Sequence, residues 1–226
     1  MEAATLVSCK DDISSLFPEK TSRPKDKELR CQFPHVRRVQ GDGNCLYRAL
    51  FFAHLESMVH NARALQRFKE KIAQTSKEFF SAGFKESSFM HHLNTVVDVV
   101  ERCQGEQEDR LLHLFNERTV SDGLVKYLRL LTSAHLQNHA DFFSNFVEAP
   151  DLRVYCHQEV ENMAMEGDHV EILALSQALD ISIHIVSMDG EQEHLAHHVI
   201  PEGAEPSLHL LHRSSHYSIL YPPPQN

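Results

Sequence analysis

The stretch Gly41-Asp42-Gly43-Asn44-Cys45-Leu46-Tyr47-Arg48-Ala49-Leu50 places one cysteine where a turn becomes a helix. Glycines at 41 and 43 suit a tight loop, because glycine adopts positive φ without steric cost, and Asn44 is a favoured N-cap residue. Apolar residues then recur at helical spacing at positions 46, 49, 50 and 53. Cys45 is therefore predicted in the first helical turn, where unpaired N–H groups and the helix dipole lower a thiol pKa.

A second informative segment lies near the C-terminus. Residues 207–212 and 216–221 are two short runs rich in apolar and aromatic residues around a polar triplet, a pattern that indicates a β-hairpin. In the second run His216 and Ser218 share one face, because side chains on a strand alternate with a period of two. An early cysteine on a helix and a late histidine on a strand are the arrangement of papain-like cysteine hydrolases. A histidine at any one place carries little weight alone, since the chain has 17 of them.

These two segments together resemble the ovarian-tumour (OTU) cysteine proteases, which are deubiquitinases, and within them the otubain branch. The match rests on residues 41–50 and on His-Tyr-Ser-Ile-Leu-Tyr at 216–221. Further blocks occur in the same order, at 128–133, 140–143, 159–161, 168–169 and 174–179. The resemblance runs from about residue 36 to residue 221 and implies the papain-like OTU fold.

The resemblance implies a role for each of these site residues. Cys45 is the expected nucleophile and His216 its general base. The backbone N–H groups of Asp42, Gly43 and Cys45 are expected to hold the oxyanion of the tetrahedral intermediate. Asp42 itself is expected to shape this loop rather than to transfer protons. The reaction implied is hydrolysis of the isopeptide bond between the ubiquitin C-terminal glycine and a lysine.

One position departs from the otubain pattern, which has Asp or Asn two residues after the catalytic histidine. This chain has Ser218, whose hydroxyl is short and uncharged. We expect Ser218 to orient His216 weakly, so that activity is reduced rather than abolished, because a cysteine–histidine pair depends less on a third group than a serine enzyme does.

The chain has 226 residues, with 42% hydrophobic and 24% charged residues, which is ordinary for a globular protein. We expect residues 1–35 to be a peripheral, partly helical N-terminal extension and residues 36–226 to be the catalytic domain. Helical patterns are predicted at about 45–58, 61–75, 87–103, 107–116 and 121–147, followed by a buried helix at about 169–179. Strands are predicted at 181–186 and 197–200 and in the late hairpin. Helices followed by a small late sheet indicate an α+β fold.

Charge and cysteine usage restrict the cellular setting. A formal charge of −10 argues against a nucleic-acid surface, and no apolar run is long enough for a membrane span. Five scattered cysteines, an odd number, favour reduced thiols in the cytoplasm, with or without a nuclear pool. We expect a monomer whose partners are ubiquitin and polyubiquitin chains.

Other clusters give weaker signals. The histidines at 194, 197 and 198 and the pair at 91–92 lack a CxxC motif, and strand neighbours point to opposite faces, so the sequence predicts no metal site and no cofactor. Asp168 and His169 match an otubain block that implies a ubiquitin-facing position, while a helix cap explains Asp168 equally well.

Two alternatives to a fully active deubiquitinase stay open. One is a weakly active or inactive otubain-like protein that binds ubiquitin or ubiquitin-conjugating enzymes. The other is a different papain-like amidase.

Overall fold

The computed structural model describes residues 4–17, 23–105, 108–148 and 151–225. Helices account for most of this part of the chain, and they precede most of the sheet. Their bounds are α1 Pro24–Gln32, α2 Cys45–Glu56, α3 Ala62–Ser81, α4 Glu86–Arg102, α5 Glu108–Asn116, α6 Arg118–Asn138, α7 Ala140–Phe143, α8 Leu152–Tyr155 and α9 His169–Leu179. Among the described residues, no helix combines the length and the apolar character that a bilayer span requires.

One mixed sheet completes the fold, with its strands in the order β1-β2-β6-β5-β3-β4. The strands are β1 Asp11–Asp12, β2 His35–Arg37, β3 Ile183–Ser187, β4 Ala196–Ile200, β5 Leu208–Arg213 and β6 His216–Tyr221. Neighbouring strands are antiparallel except for β3 and β5, which run parallel. The predicted α+β architecture and the late hairpin are confirmed.

The two faces of the sheet bury different parts of the chain. On one face, Tyr217 and Ile219 of β6 join the main core, which the helical region supplies. On the other face, Leu220 of β6 and Val186 of β3 belong to a second core that also contains Ile13, Leu16, Phe17, Leu29 and Phe33. Because side chains alternate along each strand, β6 contributes to both cores and is buried from both sides.

The N-terminal segment is part of the structure rather than a peripheral addition to it. β1 pairs with β2, and α1 places Leu29 in the second core, where the neighbouring Phe33 is also buried. The backbone N–H groups of Leu6 and Val7 both donate to the Asn116 side chain. The peripheral position expected for residues 1–35 is therefore wrong for the described residues 4–17 and 23–35. The domain boundary after residue 35 stays a prediction.

The long helix predicted at 121–147 is shorter than expected. α6 ends at Asn138 because His139 leaves helical geometry, with φ −118° and ψ 39°. The chain then turns into α7, which buries Phe143 beside Leu136 and Cys156 in a third small core. Burial of an aromatic side chain outweighs the continuation of a helical pattern here.

Candidate active site

Asp42 shapes the loop before Cys45 through its side chain. One carboxylate oxygen accepts the Asn44 N–H at 3.0 Å, and the other lies 3.1 Å from the guanidinium of Arg48. Gly43 between them has φ +85°, the left-handed region that glycine tolerates. An alanine Cβ at this position would lie 2.8 Å from the Ala164 carbonyl oxygen, so the loop also requires glycine for space.

Two buried arginines hold this loop in place, and sequence reasoning gave a role to neither. The Arg48 side chain is fully buried and contacts Asp42, Asp122 and the Ser121 hydroxyl. The signal that identifies it is a charged residue within the apolar stretch of α2, since a buried charge requires partners.

Arg129 of α6 is also fully buried and joins two separate loops. It donates to the Gly43 carbonyl at 3.0 Å and to the Asn44 side-chain oxygen at 2.7 Å. On the other side it donates to the carbonyls of Val160 at 3.0 Å and Met165 at 2.6 Å. The segment 160–165 is therefore fixed against the loop that precedes Cys45. The predicted capping of α2 by the Asn44 side chain is wrong. The side-chain oxygen of Asn44 accepts a hydrogen bond from Arg129 instead.

Cys45 is the first residue of α2, as the sequence predicts, but its side chain is only 4% exposed. Burial raises the pKa of the Cys45 thiol, and the nearby carboxylates of Glu166 and Asp42 add to this rise. The backbone N–H groups of Tyr217 and Leu46 act in the opposite direction, toward a lower pKa. The lowered pKa expected from the helix N-terminus is therefore wrong for this conformation, because desolvation outweighs the N–H groups.

β6 lies directly beside the thiol. The Tyr217 N–H donates to Cys45 Sγ at 3.5 Å, which brings the start of β6 to the start of α2. The adjacent His216 ring lies against Gly41, where an added Cβ would be 3.6 Å from its Nδ1 atom. Two residues from opposite ends of the chain are thus brought to one site.

The His216 imidazole is half-buried, and burial lowers its pKa. The positive charge of Arg213 and the neighbouring His212 lower this pKa further, whereas Glu166 raises it. No hydrogen bond between His216 and Cys45 is found in the described part of the chain. Because the thiol pKa is raised and the imidazole pKa is lowered, both groups are favoured in their neutral forms.

The hairpin turn that precedes His216 is held from a neighbouring loop. Ser214 and Ser215 both have positive φ, which is uncommon for residues other than glycine. Asp189 accepts their N–H groups at 2.8 and 3.5 Å and lies 3.4 Å from His212. Asp189 follows β3, so this contact depends on the packing of two hairpins and no local sequence pattern indicates it.

Ser218 is 6% exposed, and it faces Leu211 across the β5–β6 pair. Among the hydrogen bonds of the described residues, none joins Ser218 to His216. Its proposed role as a weak orienter of the imidazole stays a prediction.

The three backbone N–H groups expected at the oxyanion site are not equivalent. The Asp42 N–H donates to the Gln40 carbonyl at 3.1 Å and is engaged within the loop. The N–H groups of Gly43 and Cys45 have no hydrogen-bond partner among the described residues. These two N–H groups are therefore free to donate hydrogen bonds to an oxygen atom on which negative charge develops.

Asp168 and His169 lie at the N-terminus of α9. Asp168 forms a capping box with Glu171, whose carboxylate accepts the Asp168 N–H at 3.0 Å. Glu171 is buried and also accepts a hydrogen bond from the Tyr155 hydroxyl. Both Asp168 and His169 are exposed. The cap explains Asp168, and the ubiquitin-facing position expected for the pair stays a prediction.

The comparisons with known proteins agree in one family. The family model described as Peptidase C65 Otubain matches residues 1–222. The mouse protein named ubiquitin thioesterase OTUB2 is 45% identical over 96% of this chain and 95% of its own length. The human ubiquitin thioesterase OTUB1 is 41% identical over 96% of this chain and 83% of its own length.

A solved structure has the same fold. The structure described as h/ceOTUB1-ubiquitin aldehyde-UBC13~Ub superposes with a TM-score of 0.88 at 26% identity. The superposition covers 97% of this chain and 91% of the matched chain. The resemblance stated from the two motifs is confirmed by all three comparisons.

Proposed function

The chain belongs to the Peptidase C65 otubain family, and we infer from this membership that it is a deubiquitinase, a cysteine-type ubiquitin thioesterase and isopeptidase. We propose Cys45 as its nucleophile and His216 as its general base. One observation carries the assignment of these residues. The hydrogen bond from the Tyr217 N–H to Cys45 Sγ, at 3.5 Å, places the strand that bears His216 beside the thiol at the helix N-terminus.

The proposed reaction follows thiol-protease chemistry. His216 takes the proton of Cys45, and the sulfur attacks the carbonyl carbon of the ubiquitin C-terminal glycine. The N–H groups of Gly43 and Cys45 stabilise the resulting oxyanion. His216 then protonates the departing lysine amine, and water hydrolyses the thioester with His216 again acting as base.

Asp42 and Arg129 support this chemistry without touching the reacting atoms. Asp42 fixes the Asn44 N–H, and Arg129 fixes the Gly43 carbonyl, so together they hold the peptide unit that joins the Gly43 and Cys45 donors. A donor that is oriented before the reaction stabilises a developing charge without reorganisation.

A second candidate function is that of a weakly active or inactive otubain-like protein that binds ubiquitin or ubiquitin-conjugating enzymes. It is favoured by the absence of a hydrogen bond between Ser218 and His216 in the described residues, and by the neutral forms favoured for Cys45 and His216. In a weakly active protein of this kind, His216 would have to approach Cys45 on substrate binding before it could accept the thiol proton.

A ubiquitin probe with a C-terminal propargylamide warhead separates the two functions. Covalent capture of the wild-type chain, lost in Cys45→Ala and retained in Cys9→Ala, supports the enzyme; Cys9 is the control because its thiol is exposed. Saturable ubiquitin binding without capture supports the second function. Capture that persists in Cys45→Ala contradicts the assigned nucleophile.

We further propose that ubiquitin-conjugating enzymes are partners, since the related structure is described as a complex with UBC13~Ub. A pull-down of the full chain with a ubiquitin-charged conjugating enzyme tests this. The five cysteines, all free, support the proposal of a cytoplasmic location, which imaging of a tagged chain can check.

A further inference from the structure

A cluster of metal-ligating side chains lies where α3, α6 and α9 end. His135 lies in the last turn of α6, and His139 directly follows the end of this helix with its ring centroid 4.3 Å from that of His135. Glu78 lies in the last turn of α3. One ligand atom from each of these three residues lies within 4.8 Å of the other two. They border a solvent-open groove of about 670 Å³.

Both ring nitrogens of His135 face oxygen atoms of neighbouring side chains. Its Nδ1 atom lies 2.6 Å from a carboxylate oxygen of Glu78, and its Nε2 atom lies 2.9 Å from the side-chain oxygen of Gln177. Both partner atoms are acceptors, so the imidazole must either donate from both nitrogens or bind a cation through one of them. A metal ion between Nδ1 and Glu78 gives the second arrangement, because the N–H then lies on Nε2 and donates to Gln177. An oxygen acceptor on the second nitrogen is the usual support for a histidine that binds a metal.

The local field also favours a cation. Glu78, Gln177 and the histidine pair each lie in the last turn of a helix or directly after it, so three helix C-termini converge on the groove. The carbonyl ends of helices carry partial negative charge. Lys71 and Lys77 also line the groove and oppose this field. Because the lysine charges offset the field of the helix ends, ions held by charge alone, such as Ca²⁺, are disfavoured. Transition metals that bind imidazole nitrogen are favoured instead.

We propose that Glu78, His135 and His139 form a binding site for Zn²⁺ or a similar divalent transition metal, with water as the fourth ligand. Ligand atoms around tetrahedral zinc lie about 3.3 Å apart, given bonds of about 2.0 Å. The Glu78–His135 distance of 2.6 Å must therefore widen on binding. The Glu78 side chain is partly exposed, and His139 is exposed, so both can adjust. Such an ion links the end of α3 to the end of α6.

Calorimetric titration of the full chain with Zn²⁺ tests the site, with Glu78→Gln and His139→Gln as variants. The matched control is His113→Gln, because His113 is also exposed and also faces a glutamate, Glu117. We expect one zinc ion per wild-type chain, at least about tenfold weaker binding in both site variants, and no change in the control. Zn²⁺ should also raise Tm in wild type and control more than in the site variants, by mass action.

Titration with Co²⁺ distinguishes this site from the cysteines. Binding at Glu78, His135 and His139 gives no thiolate charge-transfer band in the near ultraviolet, whereas cysteine ligation does. Equal affinity of wild type and both site variants overturns the proposal, as does a Co²⁺ spectrum dominated by the thiolate band. Failure of the folded wild-type chain to bind Zn²⁺ also overturns it, and leaves Glu78 and His135 as an ion pair.

Discussion

His54 makes the stability of this protein sensitive to mild acid. It lies on α2 in the main helical region, is 9% exposed, and directs its ring toward Phe68 with centroids 4.9 Å apart. Its Nδ1 atom is buried and has no hydrogen-bond partner among the described residues. Burial lowers the pKa of His54 from 6.5 to about 4. The folded protein therefore keeps this imidazole neutral at a pH at which the unfolded chain protonates it.

The sign and size of the effect follow from this difference in pKa. As pH falls below 6.5, the unfolded chain takes up a proton that the folded chain does not, so the free energy of unfolding decreases until the pH reaches about 4. Each pKa unit corresponds to about 1.4 kcal/mol, so the full loss is about 3 kcal/mol. Between pH 7 and pH 4.5, His54 should account for about 2 kcal/mol.

Urea unfolding of wild type and His54→Phe at these two pH values measures this contribution. Phenylalanine keeps a ring beside Phe68 and removes the titrating group. We expect wild type to lose about 2 kcal/mol more than His54→Phe between pH 7 and pH 4.5. His113→Phe replaces an exposed histidine and serves as the control. If wild type and His54→Phe lose the same free energy over this range, the buried neutral imidazole is not the cause.

Three further predictions concern the site. Ser218→Asn should raise kcat/KM by several-fold to about 10²-fold if it supplies the missing hydrogen bond to His216, and an unchanged value on one ubiquitin substrate contradicts this. Gly43→Ala should lower kcat, and it should lower the free energy of unfolding by roughly 1–2 kcal/mol from the positive φ alone. The control is Gly123→Ala, in a helix with ordinary packing space, which should raise the free energy of unfolding in urea by up to about 1 kcal/mol. Arg129→Leu should cost about 3 kcal/mol or more, because several buried acceptors lose their donor; a loss below about 1 kcal/mol in the same assay would refute this.

The parts of the fold that follow local rules could be predicted from the sequence. The helix beginning at Cys45 follows from its apolar spacing, and the strand beginning at His216 follows from two apolar and aromatic runs around a polar triplet. Both signals lie within about ten residues of the feature they predict. The end of α6 could not be predicted in this way, because it depends on where Phe143 finds a core.

The electrostatic properties of the site required the three-dimensional structure. The helix N-terminus favours a low thiol pKa at Cys45, but burial of the thiol and the carboxylates of Glu166 and Asp42 reverse the shift. The role of Arg129 depends on acceptors from residue 43 to residue 165, which no local pattern connects. Burial and distant partners decide such properties, and sequence spacing reports on neither.

The position of β6 in the sheet has a consequence for biosynthesis. β6 is the last strand along the chain, yet it lies between β2 and β5 near the middle of the sheet. During translation both neighbours emerge from the ribosome before the strand that joins them, and each presents an unpaired edge until then. At that stage the nascent chain already carries Cys45 but not yet His216, its proposed base. The candidate catalytic pair therefore forms only when synthesis has passed β6, and by the proposed mechanism a chain still shorter than this cannot cleave conjugates.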